Sequence, residues 1–229
     1  MAQRMRKKRH FDERMESCGK WLLARGANGI LNMKEAAENY RALVDYRAVF
    51  GNDHPVDLEI GCGKGGFVCE LARRNPDRNY IALEMVSNVV ISAMENAERQ
   101  NAENVRFLNI RAECLPCYIS ENSVENIYLN FSTPLPKLGY VTQRLTHRGF
   151  LETYKKLLKT GGRVIQKTDN RDFFEFSLEE YRACGFALEN LTYDLHEKGN
   201  PDWNIVTEYE QKWVEQGLPI HRVEAVKGE

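Results

Sequence analysis

The chain has 229 residues, a formal net charge of −1 and 42% hydrophobic residues, which suits one α/β domain with a buried core. This composition excludes a fibrous protein, a fully disordered protein and a bulk polycation, and no apolar run approaches the ~18 residues of a membrane span. The first residues carry no apolar stretch behind their basic cluster, so no secretory signal is expected and the predicted location is the cytoplasm.

Residues 1–50 are predicted to form a basic, mostly helical extension ahead of a main domain at 51–229. Within the extension, Lys34–Phe50 carries apolar residues at helical spacing. A basic cluster opens it, made of Arg4, Arg6, Lys7, Lys8, Arg9 and Arg14. Such a cluster suits a nucleic-acid backbone or a solvated terminus, and charge alone leaves both open.

From residue 51 onward, strand and helix patterns alternate. The predicted strands are Val56–Ile60, Asn79–Glu84, Val105–Ile110, Val124–Phe131, Arg163–Thr168, Ala187–Leu195 and Ile205–Val214. The predicted helices are Gly66–Arg74, Ser87–Gln100 with Ser87 as N-cap, Phe150–Lys159 ending at Gly161-Gly162, and Asp172–Cys184. Repeated βα units predict a doubly wound, mostly parallel sheet of seven strands, with ligands bound at the carboxyl ends of the strands.

The cysteines give little sign of a metal site. The six are Cys18, Cys62, Cys69, Cys114, Cys117 and Cys184. Cys114 and Cys117 have the spacing of a metal or redox pair, but no second pair of ligands lies near them in sequence. We therefore expect reduced thiols and no bound metal.

A glycine-rich loop follows the first predicted strand of the main domain and opens a helix. Gly61, Gly63 and Gly65 allow a tight turn and let the backbone approach a ligand closely. Glu84, at the end of the next strand, stands where an acid accepts hydrogen bonds from both hydroxyls of an adenosine ribose. Dinucleotide sites and S-adenosylmethionine sites share these features, so they do not choose between the two cofactors.

Glu59 favours S-adenosylmethionine. A carboxylate at the end of the first strand would repel a dinucleotide's pyrophosphate, but it would attract an ammonium group and a sulfonium cation. Lys64 in the loop raises the question of a phosphate site, but the Walker spacing GxxxxGK[ST] is absent.

Several segments, in order, resemble the bacterial tRNA (guanine-N7)-methyltransferases across about residues 56 to 217. They are DLEIGCGKGGF, NPDRNYIALE, NVRFLN, IYLNF, Arg144–Phe150, GGRVIQKTDN and IVTEYEQKW. The most specific are Thr168-Asp169-Asn170 and Thr207-Glu208-Tyr209-Glu210, which methyltransferases in general lack.

The resemblance implies a class I S-adenosylmethionine-dependent methyltransferase of Rossmann-like fold that acts on a guanosine in the tRNA variable loop. Positions matching the family's cofactor-binding residues are Glu59, Gly61, Gly63, Gly65, Glu84, Arg111 and Ala112. Positions matching its substrate-binding residues are Lys137, Asp169, Thr207, Glu208, Tyr209 and Glu210. On local sequence alone, Asp169 also reads as a helix N-cap, 207–210 as part of an edge strand, and Lys137 as a solvated loop lysine.

The chain departs from the family at two positions. The family's catalytic acid, in a PDPWPK segment, is replaced by Thr133, and an acid at the adenine is replaced by Arg111. Because guanine N7 carries no proton, methyl transfer to it needs no general base, so a slower reaction is physically possible without the acid.

Three hypotheses therefore follow. The first is a tRNA guanine-N7 methyltransferase with an altered catalytic loop, at full or reduced rate; the second is a non-catalytic RNA-binding descendant; the third is a methyltransferase retargeted to another substrate. The oligomeric state, monomer or homodimer, is left open by the sequence.

Overall fold

The computed structural model describes residues 7–26, 32–38 and 43–228. Its strands are β1 Leu22–Arg25, β2 Val56–Ile60, β3 Asn79–Leu83, β4 Val105–Asn109, β5 Val124–Asn130, β6 Leu158–Thr168, β7 Phe186–Thr192 and β8 His221–Lys227. Its α-helices are α1 Phe11–Ser17, α2 Met33–Glu38, α3 Tyr46–Phe50, α4 Gly66–Arg74, α5 Ser87–Arg99, α6 Arg148–Leu157, α7 Arg171–Ala183 and α8 Glu208–Val214.

The chain divides into two compact units. The first contains the described residues of Met1–His54 together with Gly61–Tyr118, and the second contains Pro55–Ile60 and the described residues of Ile119–Glu229. In the first unit, β1, β4 and β3 lie side by side in that order and all run parallel. Parallel strands end at the same edge, so the residues that follow β3 and β4 gather at one edge of this unit.

In the first unit the N-terminal segment packs against α5. Phe11, Met15 and Trp21 are buried in the same apolar cluster as the inner face of that helix. Arg14 forms a two-pronged ion pair with Glu95 of α5, at 2.6 and 2.7 Å. One member of the predicted basic cluster is therefore held by a carboxylate of the fold.

The rest of the basic cluster is divided between described and undescribed residues. Lys8 donates hydrogen bonds to α5 through its backbone N–H and its ammonium group, and Lys7 pairs with Asp12. Arg4 and Arg6 lie outside the described residues. The boundary at residue 50 stays a prediction.

In the second unit the strand order is β2-β5-β6-β8-β7. Strands β2, β5 and β6 are parallel, whereas β8 runs antiparallel to both β6 and β7. The carboxyl ends of β2, β5 and β6 therefore meet at one edge, and they carry Glu59, Asn130 and Thr168. Across the described residues the strands number eight rather than the predicted seven: six of the predicted strands are present, the seventh is not a strand, and β1 and β8 were not predicted.

The predicted strand at Ile205–Val214 is wrong, because Glu208–Val214 is helix α8. Its start is fixed by a capping box: the Thr207 hydroxyl accepts the Glu210 backbone N–H, and the Glu210 side chain accepts the Thr207 backbone N–H. The pattern Thr-x-x-Glu is a sequence signal for a helix start, and it was available at this position.

Two predicted helix boundaries also differ. Helix α6 ends at Leu157 rather than at Gly161-Gly162, and both glycines lie within β6. A Cβ on Gly162 would lie 2.8 Å from the carbonyl oxygen of Glu125, so close strand approach, rather than a helix exit, demands glycine there. Ser87 is not the N-cap of α5; its hydroxyl donates to Asn109 instead.

No disulfide joins the six cysteines, all of which lie in the described part of the chain. All six cysteines are reduced thiols, and burial raises the pKa of Cys114 to about 11, which disfavours a reactive thiolate there. Among the described residues, no group of three or more potential ligand side chains is arranged to hold a metal ion. No helix in the described part of the chain is both long and apolar enough to cross a membrane.

Candidate active site

The glycine loop between β2 and α4 is shaped by backbone conformations that favour glycine. Gly61, Gly63 and Gly65 have φ values of 80°, 57° and 75°. The N–H groups of Gly61 and Cys62 both donate to the carbonyl oxygen of Leu83, which ties the loop to the end of β3. A Cβ on Gly61 or Gly63 would meet no atom within 4 Å, so the loop leaves open space on that side.

Gly65 differs from the other two glycines because it packs against α5. A Cβ at this position would lie 3.0 Å from the Cβ of Ala93. We expect Gly65→Ala to lower the free energy of unfolding by about 2 kcal/mol, through left-handed strain and this contact. Denaturant titration measures the change. Gly66→Ala is the matched control: Gly66 is helical with open space around its Cβ position, so its stability should change by less than about 1 kcal/mol. Equal losses in the two variants would contradict this interpretation.

Glu84 is held by the backbone around it. Its two carboxylate oxygens accept the N–H of Gly63 at 3.1 Å and the N–H of Val86 at 2.7 Å. Burial raises the pKa of Glu84, while these backbone donors work in the opposite direction. Each oxygen keeps a further lone pair, so the carboxylate is oriented and can still accept two hydroxyl donors.

Asn109, at the end of β4, was not among the predicted site residues. The Asn109 side chain donates to the carbonyl oxygens of Glu84 and Met85, at 2.8 and 3.2 Å, and so fixes the segment that follows β3. Two positions along, Arg111 is exposed and pairs with Glu113 at 3.2 Å. Ala112 is buried. The charge of Arg111 is therefore partly balanced by its neighbour.

Glu59 is buried in the second unit, where Asn130 holds it. The Asn130 amide donates to one Glu59 carboxylate oxygen at 3.1 Å, across the parallel strands β2 and β5. The carbonyl oxygen of the Asn130 side chain and the Ser132 hydroxyl are also buried, and neither has a hydrogen-bond partner among the described residues. Buried polar atoms without partners are costly, so these two mark a place where a ligand's polar groups would be favourable.

The loop that follows β5, residues 131–137, is strained at two places. Phe131 and Leu135 have φ values of 52° and 45°, which are unfavourable for bulky side chains. The Phe131 N–H donates to the carbonyl oxygen of Lys167, and Arg144 donates to that of Leu135. Thr133, between these two anchors, is exposed, as is Lys137. Strained backbone held from both sides is typical of a functional loop.

Asp169 follows β6, and the helix N-cap is its neighbour Asn170, whose side chain accepts the Phe173 N–H at 2.8 Å. The interpretation of Asp169 as an N-cap is therefore wrong. The Asp169 side chain is half-buried, and among the described residues its carboxylate has no hydrogen-bond or ion-pair partner. It is available to bind a ligand.

The residues 207–210 have different surroundings although they are adjacent in sequence. Thr207 caps α8, and Glu208 and Tyr209 are exposed. Tyr209 stacks on Phe131 with ring centroids 6.4 Å apart and an interplanar angle of 21°. Glu210 is fully buried, and its carboxylate contacts other side chains of the second unit.

Comparison with known proteins identifies the family. Residues 53–223 match the profile of a family described as "Putative methyltransferase". A tRNA (guanine-N(7)-)-methyltransferase of Geobacillus sp. (strain WCH70) is 43% identical over 181 residues, covering 78% of this chain and 81% of that protein. The corresponding protein of Bacillus subtilis (strain 168) is 41% identical over 179 residues, covering 78% and 84%. This chain belongs to the tRNA (guanine-N7)-methyltransferase family.

A solved structure similar to this family member confirms the predicted α/β fold. The 16S rRNA methyltransferase KamB superposes with a TM-score of 0.61 at 17% identity, covering 82% of this chain and 95% of that one. At such low identity the likeness supports the fold alone.

Proposed function

We propose that this protein transfers a methyl group from S-adenosylmethionine to N7 of a guanosine in the variable loop of tRNA, in the cytoplasm. The observation that carries the proposal is the 41–43% identity to tRNA (guanine-N(7)-)-methyltransferases over most of the chain. The two motifs most specific to the family, Thr168-Asp169-Asn170 and Thr207-Glu208-Tyr209-Glu210, contribute to the same edge of the second unit.

Residues of each unit, taken separately, suit groups of S-adenosylmethionine. Open space lies beside Gly61 and Gly63, and the oriented carboxylate of Glu84 suits the ribose hydroxyls. Glu59 provides a buried negative charge, and the buried acceptor on Asn130 suits an N–H donor. When bound, the cofactor supplies an electrophilic methyl group on a positively charged sulfonium.

The protein's part in the chemistry is alignment and charge. Guanine N7 carries a lone pair and no proton, so no side chain has to act as a general base. The product is a cationic purine, which negative potential stabilises. Asp169 and Glu208 are carboxylates suited to accept the N1–H and N2–H groups of guanine, and Lys137 is suited to an oxygen of the substrate. Thr133 keeps a hydroxyl at the position of the family's acid.

Methylation of tRNA is the direct test. Unmodified tRNA is incubated with the protein and labelled S-adenosylmethionine, and aniline cleavage then maps N7-methylguanosine. We expect label at one guanosine of the variable loop. Label at another nucleotide would replace this proposal with the retargeted methyltransferase.

A calorimetric titration with S-adenosylmethionine distinguishes the enzyme from the remaining alternative, a non-catalytic protein. Arg111 at the adenine position and Thr133 in the loop are the features that favour a non-catalytic RNA-binding descendant. We expect saturable binding of one cofactor per chain. Absence of binding, together with retained binding of tRNA, would support the descendant and overturn the enzymatic proposal.

A further inference from the structure

Lys167, at the end of β6, is a buried lysine whose ammonium group connects distant parts of the second unit. Its exposed fraction is 3%. The ammonium donates to the side chain of Asn204 at 3.0 Å, to the carbonyl oxygen of Ile205 at 2.9 Å and to the carboxylate of Glu210 at 2.5 Å. The side chain therefore ties β6 to α8 and to the segment that leads into this helix.

The backbone of the same residue fixes the loop that carries Thr133. The Lys167 carbonyl oxygen accepts the Phe131 N–H at 2.8 Å, at the point where this loop leaves β5 in a left-handed conformation. Asp169 follows two positions later in the chain. One residue thus joins the three segments in which the proposed substrate contacts lie.

Both carboxylate oxygens of Glu210 have hydrogen-bond partners. One Glu210 oxygen contacts Lys167, and the other accepts hydrogen bonds from His196 at 2.9 Å and Asn204 at 2.6 Å. Burial alone would raise the pKa of Glu210, but these partners, with Lys167 the strongest, hold it below its usual value. Glu210 is therefore a carboxylate at neutral pH.

Such a pair is a poor means of stabilising a fold. The cost of taking two charges out of water often exceeds their attraction, and apolar residues of similar volume frequently serve stability as well or better. In some proteins a buried polar or ionic group instead fixes one arrangement of the elements that it joins. Here those elements present Tyr209 and Phe131 as a stacked aromatic pair.

We propose that Lys167 is a positioning residue for the RNA substrate, holding Tyr209 of α8 against Phe131 at the start of the Thr133 loop. This inference rests on the proposed function for its substrate. Lys167 and Glu210 contribute through Tyr209 and the loop rather than by touching the guanosine.

The test removes both charges together. Lys167→Met alone would leave Glu210 as a buried charge without its counterion, so the informative variant is Lys167→Met/Glu210→Gln, which is neutral and similar in volume. We expect its affinity for S-adenosylmethionine to stay within about twofold of the wild type, and its kcat/KM for tRNA to fall about 10- to 100-fold. The matched control is Lys159→Met/Glu125→Gln. It neutralises a half-exposed ion pair near the starts of β6 and β5, at the other end of β6 from Lys167. This control should change kcat/KM by less than about twofold.

A double-mutant cycle with Tyr209→Ala distinguishes positioning from general damage. If Lys167 acts through Tyr209, removing the ring should lower kcat/KM in the wild type but have little further effect in the Lys167→Met/Glu210→Gln background. Additive losses would overturn the proposal, as would an unchanged kcat/KM or an equal loss of cofactor affinity.

Hydrogen exchange separates this inference from the proposed function. We expect amide protection at Phe131 to fall in the Lys167→Met/Glu210→Gln variant and to be retained in the Lys159→Met/Glu125→Gln control. If the wild type transfers no methyl group to tRNA, the proposed function fails, while this measurement still reports on the positioning. Unchanged protection at Phe131 would overturn the role of Lys167 by itself.

Discussion

Replacing Glu59 by glutamine should weaken the binding of S-adenosylmethionine by about 10- to 100-fold, the usual value of a charge-assisted contact. Glutamine keeps an oxygen that can accept the hydrogen bond from the Asn130 amide, so the side chain should stay in place. What the substitution removes is the negative charge, buried at the end of β2. Calorimetric titration of the variant and the wild type measures the loss.

S-adenosylhomocysteine shows which positive group Glu59 serves, because it keeps the ammonium group but lacks the sulfonium charge. Equal losses for both ligands would assign Glu59 to the ammonium group, and a larger loss for S-adenosylmethionine would assign it to the sulfonium. Glu125→Gln is the control, since this glutamate lies near the other end of the neighbouring strand and pairs with Lys159. Unchanged affinity in Glu59→Gln would refute the electrostatic argument from which the cofactor was predicted.

The central part of the fold was predictable from local sequence. Strand β2 and helix α4 have the predicted bounds, because apolar residues at alternate positions between turn residues and a glycine-rich helix start are strong local signals. The positive φ values of Gly61, Gly63 and Gly65 likewise follow from the sequence. These features depend on residues within a few positions of each other.

The contacts that orient the candidate site residues were not predictable in this way. Asn109, Asn130 and Lys167 each contact a residue that is distant in sequence, and nothing in their own neighbourhoods marks them. The misassigned residues 205–214 are a different case. Their alternating aromatic pattern suggested a strand. In the structure the segment contains a helix on which Tyr209 is exposed and Glu210 is buried against Lys167, so the aromatic and polar residues do not divide between core and solvent as in a strand.

Replacing Thr133 by aspartate should raise the single-turnover rate of tRNA methylation on the order of 10²-fold, since one well-placed charge at a developing cation is worth about this much. Thr133 is exposed between Phe131 and Leu135, whose backbones are anchored by Lys167 and Arg144. The anchors hold the loop independently of the side chain at 133, so the substitution should alter charge and leave the fold unchanged. Stability is expected to change by less than about 0.5 kcal/mol, as for other exposed positions.

Two further variants isolate the cause of a higher rate. Thr133→Asn has the shape of aspartate without its charge, so it should stay near the wild-type rate if electrostatic stabilisation is the reason. Thr142→Asp adds the same charge at an exposed threonine in the 3₁₀ turn Leu138–Gln143, and it should leave the chemical step unchanged. A rate in Thr133→Asp that equals or falls below the wild type would mean that position 133 does not face the reacting guanine. The negative potential would then have to come from Asp169 or Glu208, and Asp169→Asn and Glu208→Gln would be the next variants to measure.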